Sequence, residues 1–140
     1  MAEVANHWTT RLFLTYLAAA QGRAGDIADA LETIERALQA NPDLLFELPE
    51  TLRIRGELRL KQGQPEFAEA DFREAIVHAQ SMGAKAWELR VTMSLARLLD
   101  GEGRRDEAHT MLAEIYNWFT EGFDTADLKD AKALLDELAT

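Results

Sequence analysis

Three stretches of this chain carry matching residue types in one fixed order, and that recurrence constrains the fold more than any other feature. The central copy is Leu52 to Ile76, LRIRGELRLKQGQPEFAEADFREAI. It reads as two short helices joined by a tight turn: Gly56 is the small residue midway along the first helix, Gly63 sits in the turn, and Ala68, Phe72 and Ala75 follow along the second. The upstream counterparts are Ala18, Gly25, Ala30, Ile34 and Ala37; the downstream ones are Ala96, Gly103, Ala108, Leu112 and Ile115. Every member is displaced by 38 residues from the first copy to the second and by 40 from the second to the third. Two antiparallel helices approach closely only where side chains are small, and a large residue such as Phe72 then fills the space against the next pair. One such pair cannot bury its own apolar face, so about three must stack to make a continuous core.

The rest of the chain agrees with an all-helical reading. Apolar residues recur at three and four, the period of one helix face, and turn-flanked alternating runs are missing. Helices are expected over about 3–21, 27–40, 49–62, 65–82, 84–99, 105–119 and 125–138. Asp26 or Gly25 is expected to cap the second of these and Asp124 or Thr125 the last. Asn41-Pro42 is the stop after the second helix, and Pro49 is acceptable in a first turn. The segment 43–50 reads either as a short helical turn or as the beginning of the third helix. Leu128, Ala131, Leu134, Leu135 and Leu138 form one stripe of the last helix, whose Asp127, Asp130, Asp136 and Glu137 face outward, as a terminal cap requires.

The repeat resembles the tetratricopeptide (TPR) motif. Ala68-x-x-x-Phe72 meets its Ala-to-Phe spacing, whereas the usual Leu-Gly pair is here Arg55-Gly56 and the leading Trp is Leu52. The resemblance implies a right-handed superhelix of three helix-turn-helix repeats, about 5–42, 49–83 and 84–121, with a capping helix over about 124–138, in a single domain spanning 1–140. The stretch AKAWELRVTMSLARLL followed by GRRDEAHTMLAEIYNWFTEGFDTADLKDAKALLDEL also resembles the extreme C-terminus of large bacterial signalling ATPases. In those proteins a TPR region follows an ATPase module, often with an adenylate/guanylate cyclase or winged-helix DNA-binding domain at the N-terminus. What this implies here is a regulatory or interaction tail, since the chain has no GxxxxGK[ST] phosphate loop.

A net charge of -10, from 25 acidic and 15 basic residues, opposes docking on phosphate backbones. No nucleic-acid partner is expected, and no membrane partner, because no apolar run approaches the ~20 residues a span needs. With no cysteine, and without a signal-peptide pattern in MAEVANHWTT, a cytoplasmic location is expected. Catalysis is not expected: there is no thiol nucleophile, and Ser81 and Ser94 lie in no nucleophile-elbow context. Glu66, Glu69 and Asp71 are explained by the helix dipole at the start of the fourth helix. Glu74 with His78, and Asp106 with His109, lack a third ligand for a metal. No cofactor is expected.

The candidate binding surface is the concave side lined by the first helix of each pair. Its positions in the second and third copies are Arg53, Glu57, Leu60 and Lys61, then Arg90, Met93 and Arg97. Four cations on one side suggest a groove for an acidic peptide or a carboxylate-bearing ligand; the plainer alternative is solvated helix faces with pairs such as Arg53–Glu57 and Glu57–Lys61. Thr15, Ala19 and Ile54 stand where chaperone-tail clamps carry Lys and Asn, so that specificity is not expected. Trp8, Trp87 and Trp118 are read as packing between helix pairs or under the terminal helix, with partner anchoring the alternative. An apolar face near Trp8, Leu12 and Phe13 suggests a homodimer through the first helix. The function that follows is a non-catalytic protein-interaction module. The alternative is a sensory domain that binds a small effector on its concave face and regulates attached domains.

Overall fold

The computed structural model describes the backbone of residues 2–40 and 45–140, with side chains from Thr10 onward over the same stretches. It contains α1 (Ala2–Arg23), α2 (Ile27–Gln39), α3 (Leu48–Lys61), α4 (Pro65–Ser81), α5 (Lys85–Gly101), α6 (Arg105–Tyr116) and α7 (Ala126–Ala139), with no strand among the described residues. The fold is all-α, as the periodicity requires. Consecutive helices pack against each other along the whole series, and α1, α3, α5 and α7 also touch one after another. The backbones of α2, α4 and α6 do not approach one another. The odd-numbered helices therefore form a tight inner layer and the even-numbered ones a splayed outer layer, the arrangement of a curved stack.

The recurrent residues make this packing possible. Ala18, Ala30, Ile34 and Ala37 are buried in one apolar cluster together with Leu14, Ile54 and Leu58. Ala68, Phe72, Ala75, Ala96, Ala108, Leu112 and Ile115 are buried in a second, larger one that extends to Leu128, Ala131, Leu134 and Leu138 of α7. Gly56 shows why the position must be small: a Cβ there would lie 2.5 Å from Cε1 and 2.9 Å from Cδ1 of Phe72. The turn glycines Gly25, Gly63 and Gly103 have φ of 90°, 79° and 80°, a region costly for residues with a Cβ.

Several helix ends differ from expectation. α1 runs to Arg23 through Gly22, where a Cβ would meet Leu58 Cδ2 at 2.6 Å; here too glycine serves close packing. Asp26 is the N-cap of α2, but its side chain accepts no capping hydrogen bond. Thr125 does cap α7, accepting from the Leu128 amide at 3.5 Å. α6 stops at Tyr116, three residues early, and the Trp118 and Phe119 amides close tighter i→i−3 turns on Ile115 and Tyr116. Of the segment 43–50, residues 43 and 44 lie outside the described residues, 46–47 form a turn and Pro49 falls in the first turn of α3. The Asn41-Pro42 stop and the Trp8 side chain lie outside the described residues.

Charged side chains tie the layers where backbones stand apart. Asp71 of α4 is buried and accepts from Arg55 (3.1 and 2.9 Å) and Arg59 (3.0 Å) of α3. Arg55 reaches on to Glu35 of α2 at 2.9 Å. Arg73 of α4 bonds Glu107 of α6 at 2.9 Å, and Arg104 bonds both Glu69 and Glu107. Arg11 of α1 donates to the Ala37 and Ala40 carbonyls at 3.0 and 2.9 Å, a cation on the last turn of α2.

Hydrogen bonds from Arg73 and then Arg104 hold the Glu107 carboxyl below its usual range. A depressed folded-state pKa contributes stability that is present above the unfolded value, at about pH 4.3, and is lost as pH falls through the folded value. Between about pH 6 and pH 3 at low salt, the melting temperature of Glu107→Gln should therefore fall less steeply than that of the parent chain. Identical slopes would show that the α4–α6 bridge contributes nothing.

Candidate functional site

The inner layer decides which of the expected groove residues face outward from the core. α5 is packed by α3, α4, α6 and α7, so it is buried nearly all round, and Met93 is 3% exposed within the larger apolar cluster. Met93 is a core residue and not a groove residue. A three-and-four spacing from Arg90 and Arg97 places it on their side of the helix, but the closeness of the neighbouring helices covers it. Leu60 is half-buried and packs against the same cluster. Arg53, Glu57 and Arg90 are half-buried, and Lys61 and Arg97 are exposed.

The cations do not sum to a positive groove. Arg53 Nε and Nη2 donate to the two carboxylate oxygens of Glu50 at 2.7 and 3.1 Å, so its partner is one turn upstream and not Glu57. Lys61 Nζ donates to the Gly22 carbonyl at 3.2 Å, a cation on the last turn of α1 and favourable to its dipole. Arg90 donates to Asp127 of α7 at 3.0 and 3.3 Å and to Glu50 at 3.4 Å, and its guanidinium lies 5.5 Å from the Trp87 ring centroid. Burial works against the charged form of Arg90 and is the largest single influence; Asp127, Glu50 and Tyr16 together outweigh it and raise its pKa. Arg97 borders a recess with Asp130, Asp136 and Glu137 of α7. Among the described residues, Arg97 and Glu57 make no ion pair.

This chain of contacts runs across the stack. Glu50 of α3, with its side chain 2% exposed, is the shared acceptor for Arg53 and Arg90, and Arg90 carries the link to α7. Sequence reasoning missed Glu50 and Asp127 as its anchors. The available signal was Glu50 three residues before Arg53, a spacing that brings side chains together on a helix. Asp127 had no comparable signal, because its meeting with Arg90 depends on how α7 crosses α5. Thr15 is buried and its hydroxyl lies 2.8 Å from that of Thr51, so it joins α1 to α3 and does not line a surface.

The tryptophans divide. Trp87 is half-buried under Arg90, whereas Trp118 is 57% exposed; the early end of α6 leaves its ring outside the core it was expected to enter. On α1, Phe13 is 66%, Tyr16 48% and Leu17 37% exposed, and Leu12 is half-buried. Among the described residues no group of three His, Cys, Asp or Glu side chains is placed to hold a metal ion, and no helix is long and apolar enough to cross a membrane.

No family model matches the chain, and no curated protein matches its sequence. Among solved structures, the chain is similar to the Yersinia enterocolitica type III secretion translocator chaperone SycD, with a TM-score of 0.70 over 94% of this chain and 84% of that one. The sequence identity is 19%, so the likeness is one of fold: an all-helical, TPR-like architecture.

Proposed function

We propose that this chain is a non-catalytic protein-interaction module that receives an extended segment of a partner protein along its inner layer. The observation that carries the proposal is the inner layer itself. Four helices touch in series on one side of the stack, and they present charged side chains that the core does not use. The likeness in fold to a secretion chaperone supports an interaction role, and the TPR-like repeats of about 5–42, 49–83 and 84–121 with a cap over 124–138 provide the frame. The resemblance of residues 84–138 to signalling ATPase tails supports a regulatory C-terminal position in a larger protein. Because Glu50 and Asp127 neutralise Arg53 and Arg90, a mixed charge pattern suits the partner better than a uniformly acidic one.

Glu57 and Arg97 are the residues to change, since they hold no ion pair among the described residues. In co-purification from cells, Glu57→Lys with Arg97→Glu should reduce recovery of the partner by about tenfold, as expected for reversed charges at an interface, while leaving the helical circular-dichroism spectrum unchanged. Undiminished recovery would reject the inner layer as the binding face. A metabolite that raises the melting temperature saturably, with no protein co-purifying, would instead favour the effector-sensing reading.

Phe13, Tyr16 and Leu17, at three-and-four spacing on α1, are exposed, and we assign this surface to a second copy of the chain. The charged Lys129, Lys132 and Asp136 exposed on α7 match this surface poorly, which favours a self-complementary contact about a two-fold axis. Sedimentation should show a dimer in the parent and a monomer in Phe13→Glu. A parent monomer at all concentrations would contradict this.

A further inference from the structure

A cleft of about 670 Å³ opens between the first turn of α5, the connection after α6 and the first turn of α7. Its size lies within the range of sites that enclose a ligand group. Leu89 and Leu128, both buried, form its floor, and Phe119 and Trp118 form a wall. Trp118 meets Phe119 edge-on at 5.1 Å and 87°, so its ring is held in orientation although 57% exposed. Arg90 and Asp127 stand at the mouth, and Glu121 borders it.

We propose that this cleft seats one large apolar side chain of a partner's extended segment, and that basic residues flank that side chain. The inference rests on the interaction-module reading and adds a position and a chemistry to it. An apolar floor with an aromatic wall accepts a Leu- or Phe-sized group, the kind of anchor around which interface energy concentrates. The sign of the flanking charge follows from the rim. Among the described residues, Arg90 alone brings a positive charge to the lining, and it already donates to Asp127 and Glu50, so it has little left for an incoming carboxylate. Glu121 makes no ion pair among the described residues, so the rim is net negative. Lys85 Nζ lies 5.6 Å from the Trp118 ring centroid, but its charge is already met by Glu88 at 3.5 Å.

The test uses three capped synthetic heptapeptides with Lys-Leu-Lys, Lys-Ala-Lys or Glu-Leu-Glu at the centre, titrated against the full chain by calorimetry. Ala86 is exposed and lines the cleft, so Ala86→Trp fills the space without replacing a core residue. Lys-Leu-Lys should bind about tenfold or more tightly than either other peptide, and Ala86→Trp should abolish that preference. Glu121→Lys should weaken Lys-Leu-Lys about fivefold and strengthen Glu-Leu-Glu, with both effects shrinking as salt is added. Unchanged binding to Ala86→Trp that retains the parent melting temperature, preference for Glu-Leu-Glu, or no binding of any peptide would each overturn the proposal. The first two outcomes leave the interaction module standing, and partner loss in the Glu57/Arg97 variant decides that module separately.

Discussion

Phe72→Ala should cost about 3–5 kcal/mol, the range for emptying a buried aromatic site. Phe72 has no exposed surface, and its ring lies where a side chain on Gly56 would otherwise be. Against the ~5–15 kcal/mol total typical of a domain, the loss should leave the protein partly unfolded at physiological temperature. Urea unfolding followed by circular dichroism would measure it. The reciprocal position makes the result specific. In the parent, Gly56→Ala gains about 1 kcal/mol of helix propensity but drives a methyl group into the Phe72 ring, a strain typically worth about 1–3 kcal/mol. In the Phe72→Ala background that strain is gone, and Gly56→Ala should become stabilising. Two contacting sites that interlock must show such coupling; additive effects would mean that α3 and α4 do not meet at this point.

The second large effect is expected at Asp71. Its side chain is 3% exposed and takes hydrogen bonds from both Arg55 and Arg59. Asp71→Ala should cost about 3–5 kcal/mol, because it leaves the partly buried Arg59 guanidinium without its counter-charge and Arg55 with only the more exposed Glu35. Replacing Arg55 and Arg59 by Met in that background should recover most of the loss, since apolar groups of similar volume often match or exceed a buried ion pair. Equilibrium unfolding of the single and triple variants gives both numbers. A triple variant less stable than Asp71→Ala would show that the arginines contribute by other means than the pair.

Asp71 also marks where the sequence could be read and where it could not. The helices and their partners follow from spacing: small residues at 18, 56 and 96 and the Ala followed four residues later by Ile34, Phe72 or Leu112 in the second helices specify which faces meet, and those faces are buried. The Arg in Arg55-Gly56, a departure from the usual Leu, was visible as an oddity without an explanation. Its explanation is Asp71 across the helix pair, a contact set by the crossing of α3 and α4 that no local spacing encodes. Met93 failed for a related reason. Its helix face could be read, but the presence of α3, α4, α6 and α7 around α5 is a property of the whole stack. Arg53, Lys61 and Arg90, read as pointing to the groove, have their charges taken up by Glu50, the Gly22 carbonyl and Asp127. Trp118, read as packing between helix pairs or under the terminal helix, is 57% exposed because α6 stops at Tyr116.

The central claim is that the inner layer of odd-numbered helices receives the partner. Hydroxyl-radical footprinting of the chain with and without its co-purified partner tests this most directly. Protection should fall on inner-layer side chains of α3, α5 and α7, including Glu57, Arg90 and Arg97, while exposed residues of the outer layer such as Phe67 and Val77 of α4 keep their free reactivity. Protection of Phe67 and Val77 with an unprotected inner layer would contradict the account.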